Sequence, residues 1–190
     1  MSTPRKSVSP AEIAGQVDQW LEQVVIGLNL CPFAGVPYRD GRIRITVSHA
    51  ASEPELLHDL EQELTRLAGS PPAEIETTLL VVADLLADFD DYNQFLDEVD
   101  ALLERTGWEG TFQVASFHPQ YQFAGTQPED PGNLTNRAPW PILHLLREDS
   151  VEQALADYPE IEAIPERNIA RMESLSVEER QKLFPWLPDQ

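Results

Sequence analysis

The stretch TTLLVVA, Thr77 to Ala83, constrains this chain more than any other. It is almost continuously apolar, rich in β-forming residues and too short for an ordinary helix. Such a run suits a strand buried on both faces. A strand of that kind needs cover above and below, so the rest of the chain has to supply helices to two sides of a sheet.

The flanking sequence supplies them. RIRITVS, Arg42 to Ser48, alternates Ile43, Ile45 and Val47 with polar residues and reads as a half-buried strand. SEPE at Ser52 opens a helix that carries Leu56, Leu57, Leu60, Leu64 and Leu67 and stops at GSPP. A helix beginning near Asp90 or Asp91 buries Tyr92, Phe95, Leu96, Val99, Leu102 and Leu103, with Gly107 as its C-cap. TFQVASF is a third strand, and the paired aspartates of LADFDD are ordinary helix caps. Ahead of these, SPAE at Ser9 is a capping box with proline at the first helical position. It starts a helix that should run to about Leu28 and end before Pro32.

The expected fold is therefore α/β: a small, mainly parallel three-stranded β-α-β-α-β sheet in the order 1-2-3. Right-handed crossovers put both connecting helices on one face. The N-terminal helix and several short C-terminal helices, opened by boxes such as SVEQ and SVEE, are left for the other. A chain of 190 residues suits one domain over 9–175, with a flexible tail at 1–8 and a short helix and Pro-rich tail at 176–190.

The net charge of −20 excludes nucleic acid and anionic membrane surfaces as partners, since both require clustered Lys and Arg. No apolar run reaches the roughly 18 residues of a membrane helix. The basic pair at the start has no apolar stretch behind it, so it is not a secretory signal. A single cysteine, Cys31, allows no internal disulfide, and a cytoplasmic location is expected.

The polar, conformationally special residues collect between Ser116 and Asp149. In open parallel sheets ligands bind at the carboxyl ends of the strands. His118 follows the third strand at that edge, and the connection from Gln120 to Ala138 is long enough to be functional. His118, with Tyr121 and Cys31, forms the candidate catalytic set, histidine being the side chain poised near neutral pH. Arg137, Arg147, Asn136, Arg39 and Arg42 are the candidate substrate-binding residues, because a planar guanidinium suits carboxylate or phosphate. PILHLLRED is read as a short helix with Pro141 in its first turn, Ile142, Leu145 and Leu146 on one face, and His144 and Arg147 one turn apart along one edge. His118 and His144, with or without Cys31, are the candidate metal ligands.

Each reading has a structural rival. His118 can fix a loop carbonyl, His144 can be a core histidine, Asn133 and Asn136 can hold turns, and Cys31 can be a small buried hydrophobe. Gly-rich phosphate loops, CxxC, HExxH and GxSxG are all absent.

The strings GLNLCPFA, FHPQYQFAGT and NLTNRAPWPILHLLREDS together resemble a family of bacterial proteins catalogued as domain of unknown function 1415. The resemblance spans roughly Ile13 to Met172 and includes Asn29, Cys31, Pro32, His118, Pro119, Tyr121, Asn136, Arg137, His144 and Arg147. It implies a bacterial cytoplasmic protein and carries no activity across.

Two functions are expected from the residues. The first is an enzyme that holds a small anionic molecule at the carboxyl edge of the sheet. It would use histidine acid/base chemistry or a transition metal on His118, His144 and Cys31, with haem behind these on the strength of Cys-Pro alone. The second is a non-enzymatic binding or interaction protein whose polar loop is scaffolding and whose acidic surface or LFPWLPDQ tail meets a partner. Oligomeric state is not readable from the chain.

Overall fold

The protein is described by a computed structural model over residues 8–156, 158 and 161–188. Residues 1–7 of the tail expected at 1–8, Pro159 and the last two residues lie outside the described residues.

Helix α1 (Pro10–Trp20) starts at the expected capping box, in which Ser9 and Glu12 bond reciprocally. It continues as a π-helical segment, Leu21–Ile26, in which Gly27 N donates to Glu22 O at 2.9 Å. The wide turn brings the Gln23 carbonyl so close that a Cβ on Gly27 would lie 2.3 Å from it, so this position needs glycine for space. The helical segment ends at Ile26 with Gly27 as its C-cap, close to the expected Leu28, and Asn29 follows in the left-handed region with φ 55°. A short helix α2 (Gly35–Arg39) leads into β1 (Ile43–Ser48).

Then follow α3 (Glu53–Gly69), β2 (Thr77–Val82), α4 (Phe89–Thr106) and β3 (Phe112–Phe117). Asp88 caps α4, accepting from the backbone N–H groups of Asp90 and Asp91, and Gly107 closes it with φ 75°. Ser52 precedes α3 but makes no side-chain cap bond. The long connection after β3 contains one 3₁₀ turn, Pro131–Asn136.

The sheet differs from expectation in one strand. Residues Ile142–Arg147 are not a helix but β4, and the order is β1-β2-β4-β3. β1 and β2 pair in parallel, while β4 runs antiparallel to both β2 and β3. The three expected strands do run the same way, but β4 separates the second from the third, giving a four-stranded mixed sheet. The composition of β4 is compatible with this place: Ile142, Leu143 and Leu145 are apolar on both faces of the pleat, as an interior strand requires, and all are fully buried. Pro141 needs no ladder donor at the strand's start.

Thr78, Leu80, Val82, Leu143 and Leu145 face α3 and α4, packing with Leu60, Leu64, Tyr92, Phe95 and Val99. Leu79, Val81 and Ile142 face α1, with Val17, Trp20, Val24, Leu134, Met172 and Phe184. Beyond β4 come α5 (Glu148–Ala156), α6 (Ile164–Glu173) and α7 (Val177–Leu183). Ser150 therefore lies inside α5 rather than capping it, whereas Ser176 caps α7 with a full capping box. The tail packs on the same core: Phe184 is 2% exposed and Trp186 sits edge-on to it at 5.5 Å. No described helix is long and apolar enough to cross a membrane.

Candidate functional site

His118 does stand at the carboxyl edge, but its bonds are all internal. Its Nδ1 accepts from Gln120 N at 3.0 Å, so Nε2 carries the proton and donates to Leu86 O at 3.1 Å. The ring is fully buried on the α4 side, between Phe89 and Tyr92, and burial lowers its pKa. Leu86 is held in the left-handed region, φ 58°, which is costly for leucine. His118 thus pins a strained turn.

The neighbouring polar residues behave alike. Asn136 donates to Ser116 O, while Arg137 donates through Nε to Tyr121 O and through Nη2 to Pro128 O. Asn133 accepts from Phe123 N and Thr126 and donates to Gln127 O. The Tyr121 ring packs on Phe89 and Phe123. A cleft beside this loop joins Arg137 to Asp88, Asp90 and Glu129, so its one cation is outnumbered by acids.

The expected meeting of basic residues does not occur. β4 runs antiparallel, so Arg147 lies at the amino edge of the parallel strands, the far side of the sheet from Arg137. Its Nη2 donates to Leu67 O, Ser70 O and Ile75 O, placing positive charge on the carboxyl end of α3. Arg42 is paired with Asp40 and Glu76, and Arg44 is bidentate to Glu63. Arg39 is exposed at the end of α2.

The metal pairing fails for a geometric reason. His144 and Arg147, three apart in a strand, point to opposite faces, and so do His118 and His144. His118 packs tilted against Tyr92 on the α4 side, with centroids 5.1 Å apart, whereas His144 is tilted against Phe117 on the α1 side, with centroids 6.0 Å apart. Among the described residues no group of three or more His, Cys, Asp or Glu is placed to hold a metal ion.

Cys31 and His144 share a cavity. Both line a cavity of about 390 Å³ on the α1 side, between β1–β4 and a wall made by the π-helical segment, α2 and α5. Trp20, Leu21, Val25, Phe33, Phe117 and Leu146 supply apolar surface. Ala115, opposite His144 across the β3–β4 pair, leaves room above the sheet. The π-helical turn matters here, because Leu21 and Val25 of the wall come from it, and such turns recur at functional sites.

Both reactive groups in the cavity are neutral. Burial holds the His144 pKa down at about 4 and raises that of the Cys31 thiol. The Thr77 hydroxyl donates to Leu145 O, so toward His144 it acts as acceptor, taking the Nε2–H at 2.8 Å. Sequence reasoning placed Cys31 and His144 among the candidates, but missed Thr77, Ala115 and the wall. Reading Ile142–Arg147 as an interior strand would have exposed the place of His144, which then shares a face with Leu79 and Ala115.

Elsewhere on the carboxyl edge, His49 Nδ1 lies 2.7 Å from Asp84 Oδ2 at the ends of β1 and β2. Both side chains are about half exposed, and neither lines a cavity described above.

Fold and cavity together define an α/β protein with a mixed four-stranded sheet and an apolar, ligand-sized chamber against one face. Residues 12–182 match the family described as "Protein of unknown function (DUF1415)", and the chain belongs to that family. No curated protein and no solved structure matches it.

Proposed function

We propose that the protein binds a small, largely apolar molecule in the chamber on the α1 side of the sheet. One observation carries this reading. A cavity of about 390 Å³ lined by aromatic and aliphatic side chains, with a few polar atoms among them, has the size and character of small-molecule sites. The anion site expected at the carboxyl edge draws little support, because the cation there, Arg137, is committed to backbone carbonyls and faces Asp88, Asp90 and Glu129. The non-enzymatic alternative, in which the polar loop is scaffolding, accords with the bonds of His118, Asn133, Asn136 and Arg137. A docking role for the tail does not follow as readily, since Phe184 is spent on the protein's own core.

Filling the chamber tests the reading. Ala115→Phe places a ring where the ligand would lie and changes nothing at the carboxyl edge. Uptake of 2-methylnaphthalene by the wild type in equilibrium dialysis, with at least tenfold weaker uptake by a folded A115F protein, is the expected result. Equal uptake by both would place the hydrocarbon elsewhere and end the proposal.

A further inference from the structure

The chamber contains one feature that a purely hydrophobic container does not need. His144 stands on the central antiparallel strand with its Nε2–H given to Thr77, whose own proton goes to Leu145 O. That chain of bonds fixes the tautomer: the proton is on Nε2, and Nδ1 carries a lone pair. Among the described residues Nδ1 has no hydrogen-bond partner. It is also not one of the fully enclosed polar atoms that lack a partner, so its accessible surface lies in the cavity that His144 lines.

From this arrangement we infer that the occupant carries a neutral O–H or N–H donor that bonds to His144 Nδ1, the remainder of the molecule being apolar. The inference rests on the binding role proposed above and names the chemistry of what is bound.

The charges around the cavity argue for a neutral group. An anion entering would have to shed water, and of the two guanidinium groups near the cavity Arg42 is already paired with Asp40 and Glu76, while Arg147 gives Nη2 to three backbone carbonyls and keeps its unpartnered Nε enclosed in the protein. A cation would sit among Trp20, Val25, Phe117 and Leu146 with Glu76 already paired. A hydroxyl or N–H is different. It gives up one bond to water and regains one to an imidazole acceptor that is otherwise unsatisfied. Sites built around such an acceptor discriminate against isosteres that lack the donor, because the buried acceptor is then left unpaired.

The test compares 2-naphthol with 2-methylnaphthalene, two probes of nearly equal shape that differ in the donor, and with 2-naphthoate as the charged counterpart. Affinities are measured by equilibrium dialysis at neutral pH for the wild type and for His144→Leu. The ratio of naphthol to methylnaphthalene affinity should fall about tenfold in H144L, the size expected for one lost hydrogen bond, and naphthoate should bind at least tenfold more weakly than naphthol to the wild type.

A second measurement needs no variant. In ¹⁵N-histidine-labelled wild-type protein, the His144 Nδ1 resonance should be that of an unprotonated ring nitrogen and should move upfield on adding 2-naphthol but not 2-methylnaphthalene. If both neutral probes bind while the ratio and the Nδ1 resonance stay unchanged, the donor inference is overturned and the hydrophobic chamber survives. Tighter binding of naphthoate than of naphthol overturns it as well. If neither neutral probe binds, the chamber reading itself falls, and this inference with it.

Discussion

His118 and His144 show how the same residue type is put to two uses by its neighbours. His118 satisfies both ring nitrogens inside the protein and braces Leu86 at φ 58°. Replacing it with alanine removes the ring from a fully buried site and leaves Leu86 O and Gln120 N without partners. His118→Ala should therefore lower stability by about 2–4 kcal/mol, read as a shift in the urea midpoint at unchanged slope. A loss below about 0.5 kcal/mol would mean that the brace is unimportant and would return His118 to the list of functional candidates.

His144 makes a prediction about pH. Its folded pKa, about 4, lies below the unfolded value near 6.5, so between these the unfolded chain binds the extra proton. Its contribution is complete above about pH 6.5, declines as pH falls through that range, and levels off below pH 4, for a total of at most roughly 3 kcal/mol. Titration of the many carboxylates runs alongside. The informative quantity is thus the difference in unfolding free energy between wild type and H144L, which should shrink by about 1–3 kcal/mol between pH 7 and pH 4.5. A difference independent of pH would show that His144 is not held neutral.

At the scale of elements, most of the fold was legible because most segments carry two agreeing signals. The helices have caps and 3.6-residue periodicity together: Ser9 and Glu12 open α1, and Asp88 and Gly107 bracket α4. β2 announced its central position by being apolar on both sides. Ile142–Arg147 failed because a short apolar run has no decisive period, and helical spacing of Ile142, Leu145 and Leu146 coexists with strand burial of Ile142, Leu143 and Leu145. What decides it is tertiary: the segment lies between β2 and β3 and pairs with both. That single element also decided the site. As a helix it would have put His144 beside Arg147. As a strand it turns Arg147 toward the end of α3 and His144 into the chamber. The π-helical turn was equally hidden, since Gly27 and Asn29 look in sequence like ordinary helix-ending residues.

For the molecule as a whole, the dominant fact is a net charge of −20 on a single compact chain. The chamber lining holds one carboxylate and one guanidinium, Glu76 and Arg147, so the excess negative charge acts on stability and solubility rather than on recognition there. Like charges crowded onto one surface repel, and the repulsion is weaker in the expanded unfolded chain, so it destabilises the fold. Opposing this are a few ion pairs among the described residues, of which Arg44–Glu63 at 2.7 Å is the best formed and Arg42 with Asp40 and Glu76 the most shared. Salt weakens both effects, but not equally. At about 0.1 M the Debye length is roughly 10 Å, which screens the many long-range repulsions and leaves a short, partly buried guanidinium–carboxylate contact largely intact. Raising sodium chloride from about 20 mM to about 500 mM should therefore increase the melting temperature at pH 7.5 by several degrees, and most of the gain should come in the first 150 mM, where the Debye length falls fastest. Calorimetry across that series checks it. A melting temperature that falls with salt would mean that the surface pairs, rather than the excess of carboxylates, govern the electrostatics of folding.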